Sequence, residues 1–436
     1  MPQASHYDTM SIRKEFPFFE ANPGIVYLDS AATALKPRTV IDALLRYNTH
    51  ESVNIHRGVY RLSQQATDTV EKVRARVARF VSTADDATAV FTKGTTEGFN
   101  LLAHILTSEA SKLSDRFAAY ASAKPPAILL SESEHHANIV PWQIAAQRAG
   151  YKLLYLPANA DGYLVPPADF LAQAASTYAI RIVSLSLQSN VTGIIHDLAP
   201  YREFAAKAGA VFIVDAAQAI VHVPEHIRSL APDFSVFSAH KLFGTTGVGA
   251  VVGSKPVLDH TDVYQGGGGM ITLVEPDRSG YLEAPGKYEA GTQAIGEIYA
   301  LGAAIDFATQ NAAALSAIEA DLLAYADEKL AATGIRIFGK TPTPYATLGR
   351  SPIYSFEVPG VHAHDTGTIL DEQDICIRAG HHCCQLLMRA LGVSATARAS
   401  FSVYNTRDDV DRLIDGIGYV KKIFRTDGHG TKHKAS

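Results

Sequence analysis

Short apolar runs alternate with amphipathic helical patterns along the first two thirds of the chain. Turn residues bound the runs, which is typical of buried strands, at residues 26–29, 89–92, 127–131, 182–187, 211–215, 234–238 and 249–252. Apolar side chains recur at helical spacing over residues 66–80 and 198–208. This alternation predicts an α/β fold with a mainly parallel sheet covered by helices. Ligand sites in such folds lie at the carboxyl ends of the strands.

The pattern changes near residue 291. An alanine-rich helical stretch over residues 295–332 precedes strand patterns at residues 335–338, 353–358 and 399–403. A chain of 436 residues also exceeds the usual length of one domain. We therefore expect a large domain at residues 25–290, a smaller α+β domain formed by residues 1–24 and 291–425, and a flexible polar tail at residues 426–436.

Composition excludes several classes of protein. The net charge of -5 gives no electrostatic basis for binding nucleic acid, and no apolar run approaches the roughly 18 residues of a membrane span. The N-terminus lacks the pattern of a secretory signal. Three cysteines, Cys376, Cys383 and Cys384, cannot form a disulfide framework, which favours a reducing compartment. We expect a cytoplasmic protein with neither nucleic-acid nor membrane partners.

Two nucleotide-binding motifs match in letters but fail in context. GIRIFGKT, residues 334–341, fits the Walker A pattern, yet its Ile-Arg-Ile-Phe is typical of a strand, and Pro342 and Pro344 forbid the helix that should follow. GTTGVGAVVG, residues 244–253, resembles a dinucleotide fingerprint but precedes a strand instead of a helix. We expect a turn with close backbone packing there.

A lysine and an aspartate follow two of the predicted strands. The strand at residues 211–214 brings Asp215 to the carboxyl edge of the sheet, where a buried carboxylate requires a cationic partner. Lys241, after another strand, can form a Schiff base with an aldehyde. An aldehyde on a ring with a protonated pyridine nitrogen is the chemistry of pyridoxal 5'-phosphate, which we predict as the cofactor.

A phosphate site is expected where the segment at residues 93–106 passes from strand to helix. Thr95 and Thr96 open that helix, whose free amides suit a phosphate monoester, and Ser238 and His240 offer further donors. Taken alone, residues 94–96 are better explained as an ordinary helix cap. The nearby Asp215 and Lys241 shift the preference to phosphate binding.

Three further polar residues follow predicted strands. His135 can lie on the cofactor ring and move protons, although a lone histidine is more often a hydrogen-bonded core residue. Gln218 and Asn190 are candidates to bond the ring hydroxyl or the substrate.

The motifs YLDSAATALKP, HRGVYRLSQQAT, FTKGTTEGFNLL, SEHHANIVPWQ, VDAAQA, FSAHKLFG, YEAGT, RAGHHC and RASFSVYNT occur in consistent order between about residues 27 and 424. Together they resemble the cysteine desulfurases of the class V aminotransferase superfamily, and more narrowly the group II branch of the SUF pathway. The resemblance implies a fold type I transferase dependent on pyridoxal phosphate, with a mainly parallel seven-stranded sheet. It also implies a homodimer with shared active sites that converts L-cysteine to L-alanine. The resulting persulfide would pass to a SUF-pathway acceptor protein for iron–sulfur cluster assembly.

The resemblance also implies a role for each matched residue. Cofactor contacts are implied for Lys241 as the Schiff-base lysine, Asp215 on the pyridine nitrogen, Gln218 on the ring oxygen, His135 stacked on the ring, Thr95, Thr96, Ser238 and His240 on the phosphate, and Thr292 on the phosphate from the other subunit. Arg398 would hold the substrate carboxylate, Asn190 would lie beside the substrate, and Cys383 would accept the sulfur.

Some positions depart from the pattern of the relatives. Cys384, Gln385 and Leu386 follow Cys383 where many relatives have alanine and then proline. Gln293 and Ala294 replace the proline and asparagine of AGTPN, and Gln265 stands where a glutamate is common. These changes bear on substrate preference and sulfur acceptor more than on the reaction class.

Two histidines and two cysteines are consecutive in the segment at residues 378–388. Four consecutive side chains cannot converge on one tetrahedral ion, so we expect no metal there. A cysteine with cationic neighbours is better suited to nucleophilic chemistry, and Cys383 is the candidate. Cys384 is either a passive small residue or a vicinal thiol that accepts or resolves a persulfide. Cys376 is expected to be buried and inert.

Other functions remain open at this level. A selenocysteine lyase or a plain class V aminotransferase would use the same cofactor residues, but transamination requires no thiol. A sulfur-assembly scaffold or metal module would use none of them. His362 and His364 lie where some relatives meet a zinc-bearing acceptor, and exposed, solvated histidines explain the pair equally well.

Overall fold

A computed structural model describes residues 9–109, 111, 124–340 and 347–424. Its strands are β1 Val26–Tyr27, β2 Ala87–Thr92, β3 Pro126–Ser131, β4 Lys152–Leu156, β5 Ala179–Ser186, β6 Ile194–His196, β7 Val211–Asp215, β8 Phe234–Ser238, β9 Gly249–Ser254, β10 Ile271–Val274, β11 Ser279–Tyr281, β12 Arg336–Ile337, β13 Thr347–Arg350, β14 Ile353–Glu357, β15 Ile375–Cys376, β16 Arg378–Gly380 and β17 Thr396–Ser400.

Helices alternate with these strands. The α-helices are Thr9–Lys14, Phe18–Ala21, Arg38–Arg46, Arg61–Val81, Thr95–Thr107, Val140–Ala149, Pro167–Thr177, Ala199–Ala208, Ala219–His222, Pro224–Leu230, Lys255–Asp259, Ile295–Gln310, Ala312–Ala331, Ala363–Asp371, Gln385–Leu391 and Arg407–Ile423. No helix in the described part of the chain is long and apolar enough to cross a membrane.

The central sheet has seven strands in the order β2-β9-β8-β7-β5-β3-β4. Strand β9 runs antiparallel to both of its neighbours, and the other pairs are parallel. This confirms the predicted α/β class and the mainly parallel seven-stranded sheet. The parallel strands end at a common edge, which becomes the floor of the site described below.

One predicted member of the sheet is wrong. Val26–Tyr27 lies outside the central sheet and pairs in parallel with Ile375–Cys376. The seventh strand is instead Lys152–Leu156, which the sequence pattern did not predict. This strand lies at the edge of the sheet and is buried only at Leu156, so it lacks the continuous apolar run that marks a central strand.

A second sheet of four strands, in the order β12-β14-β17-β16, forms the predicted α+β region. Strand β17 occupies Thr396–Ser400, so it begins three residues earlier than the predicted run at residues 399–403. The predicted helix over residues 295–332 is two helices, which Asn311 separates with a backbone outside the helical region. The predicted tail at residues 426–436 and the N-terminal residues 1–8 lie outside the described residues.

Helices cover both faces of the central sheet. The helices Thr95–Thr107 and Val140–Ala149 share one apolar core with it. Arg61–Val81 and Ile295–Gln310 contribute to the core on the other face. The last of these helices packs with the large sheet although it follows residue 291, so the domain boundary at that residue stays a prediction.

The two rejected motifs have the expected local structure. Residues 336–337 of the Walker-like segment are strand β12, while Thr341, Pro342 and Pro344 lie outside the described residues. In the glycine-rich segment, a Cβ on Gly249 would stand 2.5 Å from the Phe237 carbonyl oxygen and 2.7 Å from the Gly94 Cα. The predicted close backbone packing is therefore confirmed. It brings the backbone of Gly249 against Gly94, which precedes the helix Thr95–Thr107.

Tyr404 connects the segment at residues 28–35 to the C-terminal part of the chain through hydrogen bonds of its hydroxyl. Its hydroxyl lies 2.7 Å from Ser30 Oγ and accepts a 3.2 Å hydrogen bond from the Leu35 backbone N–H. Its ring is fully buried and packs edge-on against Phe16 at 4.8 Å. Since residues 31 and 32 line the candidate site, this contact bears on its shape.

We expect Tyr404→Phe to lower the free energy of unfolding by about 1–3 kcal/mol, because the ring shape is kept while the buried Leu35 N–H loses its acceptor. Denaturant unfolding of the purified protein measures this change. Tyr419→Phe, at a tyrosine that is 45% exposed, is the matched control and should stay within about 0.5 kcal/mol. Equal stability of the two variants would contradict the role given to the Tyr404 hydroxyl.

Candidate active site

The carboxyl edge of the central sheet opens into a cavity of about 260 Å³. Eleven of the twelve predicted site residues line it: Thr95, Thr96, His135, Asn190, Asp215, Gln218, Ser238, His240, Lys241, Cys383 and Arg398. They come from segments on both the large and the small sheet, so the cavity lies between the two regions.

Asp215 ends strand β7 and is 3% exposed. Its Oδ1 accepts a 2.9 Å hydrogen bond from the Ala217 backbone N–H. Burial raises the pKa of Asp215 to about 6, while that hydrogen bond and the positive charge of Lys241 favour its ionised form. A cationic ring nitrogen at this position would further favour the carboxylate.

Lys241 ends the short 3₁₀ turn Ala239–Lys241 that follows strand β8. Since β8 pairs with β7, the two ends of these strands bring Lys241 and Asp215 to the same part of the cavity. Burial lowers the pKa of Lys241, the Asp215 carboxylate opposes this shift, and the Arg398 cation adds to it. An amine with a lowered pKa has a larger neutral, nucleophilic fraction at neutral pH.

The predicted phosphate site is a helix start backed by a hydroxyl cluster. Gly94 precedes the helix with φ 150°, a conformation that favours glycine. Ser238 Oγ accepts a 2.8 Å hydrogen bond from the Thr95 backbone N–H and lies 2.8 Å from Thr95 Oγ1. Burial, Lys241 and Lys36 lower the pKa of His240 to about 4, so its imidazole is neutral at neutral pH.

His135 follows strand β3 and faces the same cavity. Its Nδ1 accepts a 3.0 Å hydrogen bond from the Ala137 backbone N–H, which assigns the proton of the neutral ring to Nε2. Burial, followed by the charge of Lys241, lowers the pKa of His135 to about 3. The ring is therefore neutral and has one free donor.

Glu134, which the sequence analysis did not single out, stabilises the turn that carries His135. It is fully buried, and its carboxyl accepts hydrogen bonds from Ser131 Oγ at 2.5 Å and Asn138 Nδ2 at 2.7 Å. Burial raises the pKa of Glu134 to about 8, and the charge of Asp215 acts in the same direction. A carboxyl held inside the turn fixes the backbone on both sides of His135. The signal available in the sequence was only its position beside that histidine.

The two predicted amide side chains already have protein partners. Gln218 Nε2 donates to the Ala31 carbonyl at 2.7 Å, and Asn190 Nδ2 donates to the His382 carbonyl at 2.8 Å. Both residues line the cavity, but Asn190 also holds the loop that carries Cys383. Its expected place beside the substrate stays a prediction.

Asp29 and Arg378 form a second group that the sequence did not single out. The Asp29 carboxylate accepts hydrogen bonds from Arg398 Nη2 at 3.2 Å and from Arg378 Nη2 at 2.9 Å. Arg398 is 2% exposed and also donates from Nη1 to the Asn190 carbonyl at 2.8 Å. Asp29 is shared by the two guanidinium groups, and together with the Asn190 carbonyl it fixes the orientation of the Arg398 guanidinium plane at the cavity. Asp29 is the last residue of the predicted run at residues 26–29, and a carboxylate at the end of an apolar run was a usable signal.

Cys383 lies at the mouth of the cavity and is exposed, whereas Cys384 is buried and Cys376 is half-buried. Cys383 accepts at its carbonyl from the His136 N–H at 2.8 Å, and its own N–H donates to His381 Nδ1 at 3.1 Å. The neighbouring side chains have other partners: His382 Nε2 lies 2.9 Å from Thr396 Oγ1, and Cys384 Sγ donates to Asn190 Oδ1 at 3.0 Å. Within the described ranges, no group of three or more histidine, cysteine or acidic side chains is arranged to hold a metal ion.

Thr292 is the exception among the predicted site residues. It is exposed and lines a separate pocket of about 590 Å³ in the same chain, with Asn54, His56 and Arg57 among its neighbours. Within one chain, Thr292 is not brought to the cavity that holds Lys241.

The cavity contains the groups that pyridoxal phosphate requires. Lys241 supplies an amine, Asp215 a carboxylate, and the start of the helix Thr95–Thr107 an anion site, which are three separate receptors. Four residues that line the cavity also have a buried polar atom without a hydrogen-bond partner among the residues that the structure describes: Arg398 Nε, His240 Nδ1, His382 Nδ1 and Gln188 Oε1. Such atoms are costly in an apolar interior and are expected where a polar ligand binds. The residues present fit the cofactor.

Known proteins match this chain over nearly its whole length. The family model described as "Aminotransferase class-V" matches residues 26–413. A probable cysteine desulfurase of Streptomyces coelicolor is 37% identical over 424 residues, covering 96% of this chain and 98% of the relative. A cysteine desulfurase of Salmonella agona is 37% identical over 418 residues, covering 94% and 98%.

Solved structures agree. The cysteine desulfurase CsdA of Escherichia coli, in an S-sulfonic acid form, superposes with a TM-score of 0.81 at 36% identity, covering 96% of this chain and 99% of that one. A cysteine desulfurase of Thermococcus onnurineus in its apo form gives a TM-score of 0.82 at 31% identity, covering 95% and 98%. The chain, with its fold type I architecture, belongs to the aminotransferase class-V family and lies among the cysteine desulfurases of that family.

Proposed function

We propose that this chain converts L-cysteine to L-alanine and retains the sulfur as a persulfide on Cys383. The observation that carries the proposal is one cavity that holds Lys241, Asp215 and Arg398 and has the exposed Cys383 at its mouth. A lysine and a carboxylate suit the cofactor, the arginine suits an amino-acid carboxylate, and the thiol suits sulfur.

Pyridoxal phosphate is the cofactor of this enzyme family. When bound, it supplies an electron sink that eases bond breaking next to the substrate's α-carbon. In this chain, Lys241 would hold its aldehyde, Asp215 its pyridine nitrogen, and Thr95, Thr96, Ser238 and His240 its phosphate. Gln218 would face the ring oxygen, and His135 the ring itself.

Arg398 is placed to bind the substrate carboxylate. Asp29 and the Asn190 carbonyl fix its orientation, and its Nε has no partner among the described residues. A planar guanidinium with donors still available binds a carboxylate through paired hydrogen bonds. This contact would orient the substrate sulfur toward Cys383.

Proton transfers are assigned to Lys241 and His135. Burial lowers the pKa of Lys241, which favours the neutral amine, and its Nζ is the proposed acceptor of the α-proton of cysteine. His135 is neutral with its proton on Nε2 and can donate from that atom toward the cavity.

Cys383 takes the sulfur. Its thiolate attacks the substrate sulfur, an S–S bond forms, and the electron pair of the breaking C–S bond remains on the substrate carbon, which gains a proton. Overall, the Cys383 thiol and cysteine give the Cys383 persulfide and alanine. The sulfur is oxidised and the carbon reduced, so no external oxidant or reductant is needed.

A second copy of the chain is proposed to complete the site. Thr292 lies on a separate, exposed pocket, and apolar side chains are exposed next to that pocket at Leu282 and in the nearby segments: Val59, Tyr60, Leu273, Val274 and Tyr281. Exposed apolar groups of this extent are typical of an interface between subunits. In a homodimer, Thr292 would then reach the phosphate of the partner's cofactor.

The exposed persulfide is proposed to pass to an acceptor protein of the SUF pathway that serves iron–sulfur cluster assembly. The free thiols at Cys376, Cys383 and Cys384 favour a reducing compartment, for which we propose the cytoplasm. Selenocysteine lyase activity would use the same cavity, whereas transamination would leave Cys383 without a role. A scaffold or metal module would leave Lys241 and Asp215 unexplained.

Cys383→Ala should reduce the conversion of cysteine to alanine by about 100-fold or more, because the reaction loses its sulfur-accepting nucleophile. Alanine release and the persulfide, located by mass spectrometry, are measured together. Cys376→Ala removes a half-buried thiol elsewhere and should keep full turnover. Undiminished alanine formation in Cys383→Ala would refute the desulfurase mechanism in which Cys383 accepts the sulfur.

Arg398→Lys should raise KM for cysteine by about tenfold or more with a smaller change in kcat, because a lysine cannot reproduce the paired hydrogen bonds to a carboxylate. Steady-state kinetics with cysteine and with cysteamine, which lacks the carboxylate, separate the two effects. Cysteamine kinetics should change little. An unchanged KM for cysteine would assign Arg398 a purely structural role.

The shared active site is testable by mixing two inactive variants. Lys241→Ala should be inactive, and Thr292→Asp should bind the cofactor poorly, because it places a negative charge beside the phosphate. If Thr292 acts across the interface, a mixed dimer has one site with both defects and one with neither. Purified mixed dimers, separated by two affinity tags, should regain cysteine turnover. Mixed dimers as inactive as both parents would contradict a contribution of Thr292 to the partner's site.

A further inference from the structure

The turn that carries Cys383 has an unusual backbone. His382 and Cys383 have φ values of 50° and 56°, a conformation that residues with a Cβ rarely adopt. Two consecutive residues of this kind are strained and persist only where their surroundings hold them. The contacts that hold this turn therefore determine where the Cys383 sulfur lies.

Cys384 occupies the next position and faces away from solvent. It is 0% exposed and packs in a small apolar cluster with Val191, Leu387 and Leu391. Its Sγ donates a 3.0 Å hydrogen bond to Asn190 Oδ1. Burial raises the pKa of Cys384 far above the range in which a thiol ionises at neutral pH. The side chain is thus a protonated donor with a single defined acceptor.

Asn190 joins that contact to both parts of the site. With Oδ1 bonded to Cys384, its Nδ2 points toward the His382 carbonyl, to which it donates at 2.8 Å. Its backbone carbonyl accepts from Arg398 Nη1 at 2.8 Å. Asn190 therefore connects the strained turn to the arginine proposed to bind the substrate.

We propose that Cys384 is a positioning residue: its thiol fixes the orientation of the Asn190 amide, which in turn holds the strained turn and places Cys383 over the cavity. A side-chain amide has an oxygen and a nitrogen of almost the same shape, so its orientation is set by the donor or acceptor that it meets. Without a donor from residue 384, Oδ1 loses the contact that keeps Nδ2 on His382.

The same geometry argues against Cys384 as a sulfur carrier. Attack on a persulfide at Cys383 requires a thiolate at Cys384, which would form a disulfide between the two residues and release hydrogen sulfide. Cys384 is fully buried, protonated and hydrogen-bonded to Asn190. A thiol in that state reacts slowly because the thiolate is the nucleophile.

Two variants at one position separate hydrogen bonding from packing. Cys384→Ala keeps a small side chain without a donor, and Cys384→Ser keeps a donor. We expect Cys384→Ala to lower kcat by at least about fivefold, the size that corresponds to one ordinary hydrogen bond, and Cys384→Ser to recover most of this loss. Cys376→Ala is the control for removal of a thiol outside the turn.

Hydrogen exchange of the same holoenzymes measures the turn without relying on turnover. The amides of Cys384 and Gln385 donate to the His381 carbonyl and to His136 Nε2. Their exchange should be faster by at least about fivefold in Cys384→Ala and close to wild type in Cys384→Ser. Wild-type exchange and wild-type kcat in Cys384→Ala would overturn the proposal, as would equal losses in both variants.

Mass spectrometry after reaction with cysteine distinguishes the competing role. The inference rests on the proposed function of Cys383, and fragments that separate residues 383 and 384 should carry the extra sulfur on Cys383 alone. A persulfide on Cys384, or a disulfide between the two cysteines, would replace positioning by sulfur relay. A wild-type protein that forms no alanine would instead refute the proposed function, while the hydrogen-exchange comparison would still test the role of Cys384.

Discussion

The site depends on the pairing of strands β7 and β8. Because these strands are parallel and adjacent, a carboxylate at the end of one and a lysine after the end of the other share a cavity. Burial raises the pKa of Asp215 and lowers the pKa of Lys241, so each group needs an opposite charge to stay ionised. A cofactor with a cationic ring nitrogen supplies the opposite charge for Asp215, while its electrophilic carbon bonds to the neutral form of the Lys241 amine. The fold thus provides a site whose two main groups are costly when it is empty of ligand.

The second constraint is the set of ion pairs that Asp29 makes with Arg378 and Arg398. Asp29 follows the short strand β1, which pairs with the small region, and its carboxylate joins Arg378 and Arg398 from strands β16 and β17. Through these ion pairs, the proposed substrate-binding arginine and the strand that leads to Cys383 are held relative to each other and to the segment that follows β1. The Arg398 side chain is buried, whereas about half of the Arg378 side chain is exposed, so the pair between Arg398 and Asp29 costs more to separate than the pair between Arg378 and Asp29.

Sequence patterns predicted what depends on local order along the chain. Strand ends could be located, and with them Asp215, Lys241, His135 and Thr95, because a polar residue after a buried strand must face the edge of the sheet. Pairings between distant segments could not be predicted in the same way. Asp29 and Arg378 are 349 residues apart, so nothing local indicates their contact. Strand β4 was missed because its half-exposed edge position weakens the apolar pattern, and the use of the Asn190 amide depends on a turn nearly two hundred residues later.

The histidines show how the cavity selects its ligands. His135, His240 and His382 line it, and burial together with nearby cations lowers their pKa values to about 3, 4 and 2. They are therefore neutral at neutral pH and contribute hydrogen bonds without charge. The basic side chains that line the cavity besides these histidines are Lys241, Arg378 and Arg398. Of these cations, Lys241 is assigned to the cofactor aldehyde and Arg398 to the substrate carboxylate, while Arg378 shares Asp29 with Arg398.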